Sequence, residues 1–403
     1  MDITSYMNKL PHYETVTGIV LPIDENIQHE FQLCIQNTTI EECRSYAKAL
    51  ESAGFTQYSA KEITVGTQEK DKVNLYFVYT RKDMHVFLTW NGCLSTTRIV
   101  VALPQALPGK EKAELKEAIC TPSITQPKLV MGMSYVIQLA DGSFIVMDGG
   151  LYNAEDAQYL YEFLAEKTPK GQQITITAWM FSHPHIDHIE LATYFIQKYA
   201  ADVIIQSFLY QFPDCGRLGK LYEGDERVKD DVALLEERIA SCYPYATVYT
   251  LHTGQTYFFN GAEIDIIFTA EDIYPHKPDS YNDLSAAWRV KFNNGTTFLV
   301  LGDCFSFSCQ EMANIYGNYV KSDILQVAHH GLIGGNKELY QLVDPQVCFW
   351  ATSEKRFVGN FPYEKFHYCL GEGGCDYNAW IRDPSIRVRE HYHSSVTTVL
   401  IMD

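Results

Sequence analysis

The sequence predicts a layered α/β sandwich rather than a single doubly wound parallel sheet. Three observations carry that expectation. Apolar strands come in pairs joined by tight turns, helical stretches fall between the pairs, and the richest cluster of polar side chains sits between a strand and a helix. The first strand pair is Tyr135 to Leu139 and Phe144 to Met147, across Ala140-Asp141-Gly142-Ser143. A helix is expected over Ala154 to Lys167, then a strand over Ile174 to Phe181. A long acidic helix is expected from Val228 to Ile239. Phe258 to Phe268 reads as a strand pair, and Asn293-Asn294-Gly295 is the turn between strands Ala286 to Phe292 and Thr297 to Leu301. Ile324 to Val327 and Val396 to Met402 complete the strands of this part.

Residues 1–125 read as a smaller α+β unit of unassigned role, distinct from 126–403. Its helix starts at Thr38-Thr39-Ile40-Glu41-Glu42 and stops at Gly54, with an acidic first turn and a glycine stop. Strands follow at Asn74 to Tyr79, Met84 to Trp90 and Thr96 to Ala102, with Arg81-Lys82-Asp83 as the turn between the first two. Pro104 to Pro127 connects to the larger unit through a short charged helical stretch.

Composition narrows the function classes. The chain has 403 residues, 46% hydrophobic and 20% charged, which excludes a disordered or fibrous protein. Its formal net charge of −18 counts against a nucleic-acid partner, because phosphate neutralisation needs a basic face. No apolar run approaches the ~20 residues of a membrane span. The start, Met1-Asp2-Ile3-Thr4-Ser5-Tyr6, has neither a basic nor an apolar leader region, so a cytoplasmic protein is expected. The eleven cysteines form no CxxC pair, which disfavours zinc ribbons and a dense disulfide framework.

The chemistry concentrates in Ser182-His183-Pro184-His185-Ile186-Asp187-His188. Buried imidazoles and a carboxylate at this density need partners, and protonated imidazoles repel one another. A metal resolves both problems, since neutral imidazole and carboxylate are good ligands for zinc-like ions. His183 and His185 can serve one ion, and Asp187 and His188 a second.

HxHxDH after a strand resembles the signature of the metallo-β-lactamase fold superfamily of hydrolases. Further features fall in that family's order: Asp148 closing the first hairpin, Asp303 in Leu301-Gly302-Asp303, and His329-His330-Gly331 after Ile324-Leu325-Gln326-Val327. The resemblance covers Leu129 to Asp403. It implies a four-layer αββα sandwich with the N-terminal α+β unit as an accessory domain. It also implies a centre of two divalent ions, zinc first, with manganese or iron as alternatives. The implied ligands are His183, His185, Asp187, His188, Asp303 as the bridge, and His329. His330 is then the proton donor, and Asp187 or Asp303 orients a metal-bound hydroxide. Asp148 supports the histidine loop by hydrogen bonds. Asn282 and Asp283 stand near the first ion. Separately from the resemblance, His391 and His393 alternate on a strand and so share one face; a solvated edge is the expected setting, with a role for His393 beside the metals as the alternative. His252 and His276 are weak candidates for the histidine that many members add to the first ion. Ile189-Glu190 replaces the glycines that usually follow the motif.

Within the family, Asn282-Asp283-Leu284-Ser285 through His329-His330-Gly331 looks most like the competence-protein hydrolase domains and the phosphorylcholine esterases. The expected substrate is a small phosphoester or other ester. A lactonase, thioesterase or lactamase and then a nuclease follow within the enzymes. A non-catalytic metal-binding or ligand-sensing protein is the alternative from another class. A homo-oligomer formed through the N-terminal unit is one expected arrangement. His12, His29, His85 and His367 are expected to be structural. Phe361, Tyr363, Phe366 and Tyr368 are expected to pack in core or rim, with a pocket wall as the alternative.

Overall fold

The computed structural model describes residues 8–21, 24–27, 30–66, 72–110, 118–213, 225–358 and 378–402. His29, His367, Phe361, Tyr363, Phe366 and Tyr368 lie outside the described residues. No helix among those described is long and apolar enough to cross a membrane.

Three sheets organise the chain. The first is antiparallel and holds β1 (Ile19–Val20), β2 (Asp24–Ile27), β3 (Glu30–Gln36), β4 (Thr56–Val65), β5 (Lys72–Arg81), β6 (Met84–Asn91) and β7 (Thr96–Ala102). Its order is β1-β3-β7-β6-β5-β4, with β2 on β3. The helix Ile40–Ser52 starts at Thr39, whose side chain accepts from the Glu42 amide while the Glu42 carboxylate accepts from the Thr39 amide. Its buried Cys43, Tyr46, Ala47 and Leu50 cover one face of the sheet, against Phe31, Ile35, Val86, Leu88 and Ile99.

The second sheet holds β8 (Ser123–Gln126), β9 (Tyr135–Gln138), β10 (Phe144–Met147), β11 (Ile174–Met180), β12 (Val203–Ile205), β13 (Ser207–Tyr210) and β14 (Thr247–Thr250). The third holds β15 (Thr256–Phe259), β16 (Ala262–Phe268), β17 (Ala287–Phe292), β18 (Thr297–Val300), β19 (Ile324–Gln326), β20 (Val347–Trp350) and β21 (Glu390–His393), in sequence order across the sheet. The last strand, β22 (Thr398–Ile401), returns to the second sheet beside β8.

Alternation places these two sheets face to face. On β10, Ile145 and Met147 point inward and meet Trp288, Val290, Phe298 and Val300 of the third sheet. Phe144 and Val146 point outward, against Leu160, Leu164, Phe195 and Leu235 of the helices Ala154–Lys167, Ile186–Lys198 and Val228–Cys242. Both faces being buried explains why β9 and β10 read as near-continuous apolar runs. Outside the third sheet, Leu299, Leu325 and Cys348 pack on Met312, Tyr316 and Leu339 of the helices Ser306–Tyr316 and Lys337–Val343. The layers are therefore helix, sheet, sheet, helix, as the sequence led one to expect.

The first sheet docks on the outer helices of the third. Ile63, Val65 and Tyr76 share the core of Met312 and Tyr316. The Tyr76 hydroxyl donates to that of Tyr316 at 3.0 Å, and Asn74 Nδ2 donates to the Ile315 carbonyl at 2.9 Å. Lys61 pairs with Asp265. Arg98 donates to the carbonyls of Glu271 at 2.8 Å, Asp272 at 3.0 Å and Tyr274 at 2.5 Å.

Gly254 makes this docking sterically tight. Its φ is +92°, and a Cβ there would lie 2.1 Å from the Tyr76 ring. Gly295 has a similar φ of +93° with open space around it. Gly254→Ala should lower unfolding free energy by roughly 2–5 kcal/mol, through left-handed strain plus overlap. Gly295→Ala should cost only about 1 kcal/mol. Urea unfolding of both variants checks the difference. Equal losses would show that the seam yields freely.

Candidate metal centre

The site is built where β10, β11, β18 and β19 end. After β11 the chain runs extended through His183 to His185, which caps the helix Ile186–Lys198. Asp187 and His188 then fall in that helix's first turn. Gly149 lets this helix approach the end of β10, because a Cβ there would lie 2.5 Å from the Ala192 Cβ. The close approach is thus provided on the strand side, and Ile189 and Glu190 can stand in the helix where the related pattern has glycines.

Asp148, fully buried, organises the loop. Its carboxylate accepts from the Ser182 amide at 2.8 Å, the Ser182 hydroxyl at 2.8 Å and His188 Nδ1 at 2.9 Å. His183 Nδ1 donates to the Ser182 oxygen at 3.0 Å. His330 Nδ1 donates to the Ala351 carbonyl at 2.8 Å. Each of these rings therefore has Nδ1 tied down and Nε2 left for the centre.

The Nε2 atoms converge on Asp303. Its Oδ2 lies 3.2 Å from His188 Nε2, 3.2 Å from His330 Nε2 and 3.8 Å from His183 Nε2. Asp187 Oδ2 lies 3.1 Å from His330 Nε2, and His185 Nδ1 lies 3.0 Å from His183 Nε2. Two sets of potential ligand atoms lie within 4.8 Å of one another: His183, His188 and Asp303, and Asp187, His188 and His330. His188 Nε2, His330 Nε2 and Asp303 Oδ1 are buried without a hydrogen-bond partner among the described residues. Orphaned lone pairs of this kind fit divalent cations.

Electrostatics follow the geometry. Burial alone would raise Asp303, but His188, His330 and His329 around it hold its carboxyl well below the usual range. Burial likewise opposes Asp187, and His188 and His330 outweigh it downward. His330 moves the other way: burial lowers it, and Asp303 and Asp187 lift it to about 10. Burial, with His188 adding, holds His183 well below the ordinary imidazole value, which keeps it a neutral donor.

His329 stands apart from His330. Its Nδ1 donates to the Ile333 carbonyl, and its Nε2 is 3.9 Å from Asp303 Oδ2. Its side chain is 17% exposed against 7% for His330. Both residues have positive φ, 49° and 57°, so the simple alternation of an extended chain does not hold here.

The two ligand sets do not include His185, His329 or the remaining sequence candidates. Asp283 accepts from the Ser308 hydroxyl at 3.1 Å and the Asp279 amide at 3.3 Å. Asn282 is buried in the turn Tyr281–Leu284, with Oδ1 unpartnered among the described residues. His393 lies 6.1 Å from the Phe357 ring, centroid to centroid. His276 stacks on Phe307 at 3.9 Å, and His252 belongs to a separate cluster with Glu30 and Glu271. Sequence reasoning missed Ser182, whose one signal was its place directly before the motif. It also missed the Ala351 carbonyl, which no residue pattern could mark.

A profile described as the metallo-beta-lactamase superfamily matches residues 127–222, which include Asp148 and the whole histidine loop. Over that stretch the chain is similar to the metallo-beta-lactamase superfamily. Among solved structures, a diiron beta-hydroxylase, CmlA from Streptomyces venezuelae, is 11% identical with a TM-score of 0.42. The match covers 91% of this chain and 79% of that one. The short form of human tRNase Z is 11% identical with a TM-score of 0.37, covering 70% of this chain and 99% of that one. The beta-lactamase superfamily hydrolase AbOPH is 10% identical with a TM-score of 0.24, covering 72% and 75%. No curated protein matches the chain.

Asp148→Asn should weaken divalent-metal affinity about 10–100-fold, because it removes the acceptor that orients His188 and Ser182. The far-UV spectrum should stay near native. Chelator competition on the purified variant measures the change, and wild-type affinity would deny Asp148 this role.

Proposed function

We propose that the chain is a metal-dependent hydrolase of small ester or phosphoester substrates. The observation that carries this reading is the convergence of His183, His188 and His330 on the buried Asp303, on loops at one end of the sandwich. His183, His185 and Asp303 would hold one divalent ion. Asp187, His188, His330 and Asp303 would hold the second. Zinc suits this mixed imidazole and carboxylate set, with manganese or iron as alternatives. Such ions acidify water toward neutral pH and polarise the bond under attack.

The chain's own residues supply orientation. Asp148, through Ser182 and His188, and the Ala351 carbonyl, through His330, aim the imidazoles inward. Asp187, with its side chain 28% exposed, lies on the open side of the centre. His329 is the more exposed imidazole and takes the substrate side, where a leaving oxygen needs a proton. This reverses the roles the sequence pattern suggested for His329 and His330. The support is that His330 Nε2 faces two carboxylates, while His329 Nε2 stands farther from Asp303.

A phosphodiester is the favoured substrate bond, on the likeness of residues 282–331 to the competence-protein and phosphorylcholine esterase branch. The net charge of −18 argues against a nucleic-acid substrate. Residues 1–125 act as an accessory unit and give no ligand to this centre.

Paired variants test the reading. His330→Ala should lose metal by elemental analysis and lose turnover with it. His329→Ala should keep its metal and lose turnover about 10²–10⁴-fold on substrates with poor leaving groups. Nitrophenolate esters should show a smaller loss. Metal loss in His329→Ala with normal metal in His330→Ala would reverse the assignment. Tight metal binding without turnover on phosphodiesters, carboxylic esters, thioesters and lactones would replace the hydrolase with a sensor.

A further inference from the structure

A second group of ligand-type side chains lies in the seam between the first sheet and the sandwich. Glu30 comes from β3, Gln105 from the segment after β7, His252 from the loop after β14, and Glu271 from the turn of helix after β16. His252 is fully buried, and Glu30 and Glu271 are 5% and 3% exposed. Phe87 of β6 lies flat on the imidazole, with ring centroids 3.5 Å apart. That stacking fixes the ring plane and leaves the two in-plane nitrogens for polar contact.

Both nitrogens face acidic groups. His252 Nδ1 lies 2.5 Å from Glu271 Oε1. His252 Nε2 lies 3.4 Å from Glu30 Oε1 and 2.7 Å from the Gln105 amide, which is itself 3.3 Å from Glu30 Oε1. Turning that amide by half a revolution presents its oxygen at the same point. An imidazole nitrogen, a carboxylate oxygen and an amide oxygen then surround one spot. Bonds of about 2.0–2.2 Å to a tetrahedral ion put neighbouring ligands roughly 3.3–3.6 Å apart, so small shifts would seat a cation.

The charge balance calls for one. Among the described residues, the ion pairs of Glu30 and Glu271 are with His252. One imidazolium cannot offset two buried carboxylates. Arg98, the neighbouring guanidinium, is engaged by three backbone carbonyls and lies 4.0 Å from Asp272. Glu30 Oε2 and Gln211 Oε1 are buried without partners among the described residues, and Gln211 Nε2 donates to Glu271 at 3.3 Å.

The candidate metal centre shows the same construction. There Asp148 holds His188 Nδ1 at 2.9 Å while Nε2 faces Asp303 at 3.2 Å. Here Glu271 holds His252 Nδ1 while Nε2 faces Glu30. A carboxylate behind an imidazole makes the opposite nitrogen a better metal donor.

We propose that Glu30, His252 and Gln105 bind a divalent cation, with Glu271 orienting the imidazole, and that this ion pins the N-terminal sheet to the sandwich. Nitrogen and oxygen ligands in a closed, buried setting suit zinc, or manganese as the harder alternative. The site is structural and does not depend on the hydrolase reading.

The test is metal content and position in the full-length protein prepared with zinc or with manganese. Wild type should hold one equivalent more than His252→Gln or Glu30→Gln. Glu271→Gln should keep the site with about 10–100-fold weaker affinity. Addition of zinc to chelator-treated protein should raise the melting temperature of His330→Ala, and the rise should be smaller in His330→Ala/Glu30→Gln, which keeps only the ion held by His183, His185 and Asp303. Anomalous diffraction at the zinc edge from wild-type crystals gives a readout that needs no variant. A peak between Glu30 and His252 supports the site. No peak in crystals grown with zinc, or equal metal content in wild type and the folded variants, overturns it and leaves a proton-held network.

Discussion

Two buried carboxylates, Asp148 and Asp303, set the terms for the end of the sandwich that holds the histidine loop. A lone carboxylate in such a place would be strongly destabilising, so each is surrounded by polar partners. Asp148 takes an amide, a hydroxyl and an imidazole from the loop after β11, which fixes that loop against the end of β10. Asp303 receives the outward nitrogens of the rings so fixed, plus that of His330 from the far sheet. Remove the first carboxylate and the rings lose their aim. Remove the second and their nitrogens face nothing. The two sheets are thus joined at this end by polar side chains, while most of the side chains buried between them elsewhere are apolar.

Legibility in the sequence followed the distance over which information is written. His183, His185, Asp187 and His188 fall within six positions, so their density marks a candidate metal site before any fold is known. Strands buried on both faces, such as β9, β10 and β11, were legible as apolar runs between turn residues. By contrast, β4 alternates weakly because it is an edge strand, mostly exposed along its first half. The three-residue β12 and the N-terminal β1 and β2 are too short to carry a pattern. The sequence does not show how the rings of His329 and His330 are held. Two successive left-handed residues turn the chain there, and the Ala351 carbonyl accepts from the His330 ring.

The same limit hides the seam. Glu30, Gln105, His252 and Glu271 are scattered over most of the chain, and only His252 stands out in the sequence, as a weak candidate ligand for a different site. Only the docking of β3 and β6 against the loop after β14 brings them together. The composition of residues 1–125 suggests a self-contained unit, with its own sheet, its own covering helix and no dense ligand motif. The packing qualifies that picture: Tyr76 lies in the core of Tyr316, and Arg98 serves carbonyls at 271, 272 and 274.

Those three carbonyls matter beyond stability. They belong to the segment that leads from β16 into the turn Tyr281–Leu284, and Tyr281 approaches the His185 ring at 6.1 Å. The guanidinium therefore anchors, from the first sheet, the start of a loop whose far end borders the metal ligands. Ser285, at the end of that loop, accepts the Asp303 amide at 3.1 Å. A chain of contacts thus runs from Arg98 through residues 271–285 to the central carboxylate. It gives the N-terminal sheet a physical means of shaping the rim without contributing a ligand, because the loop is held at one end by the sheet and at the other by Asp303.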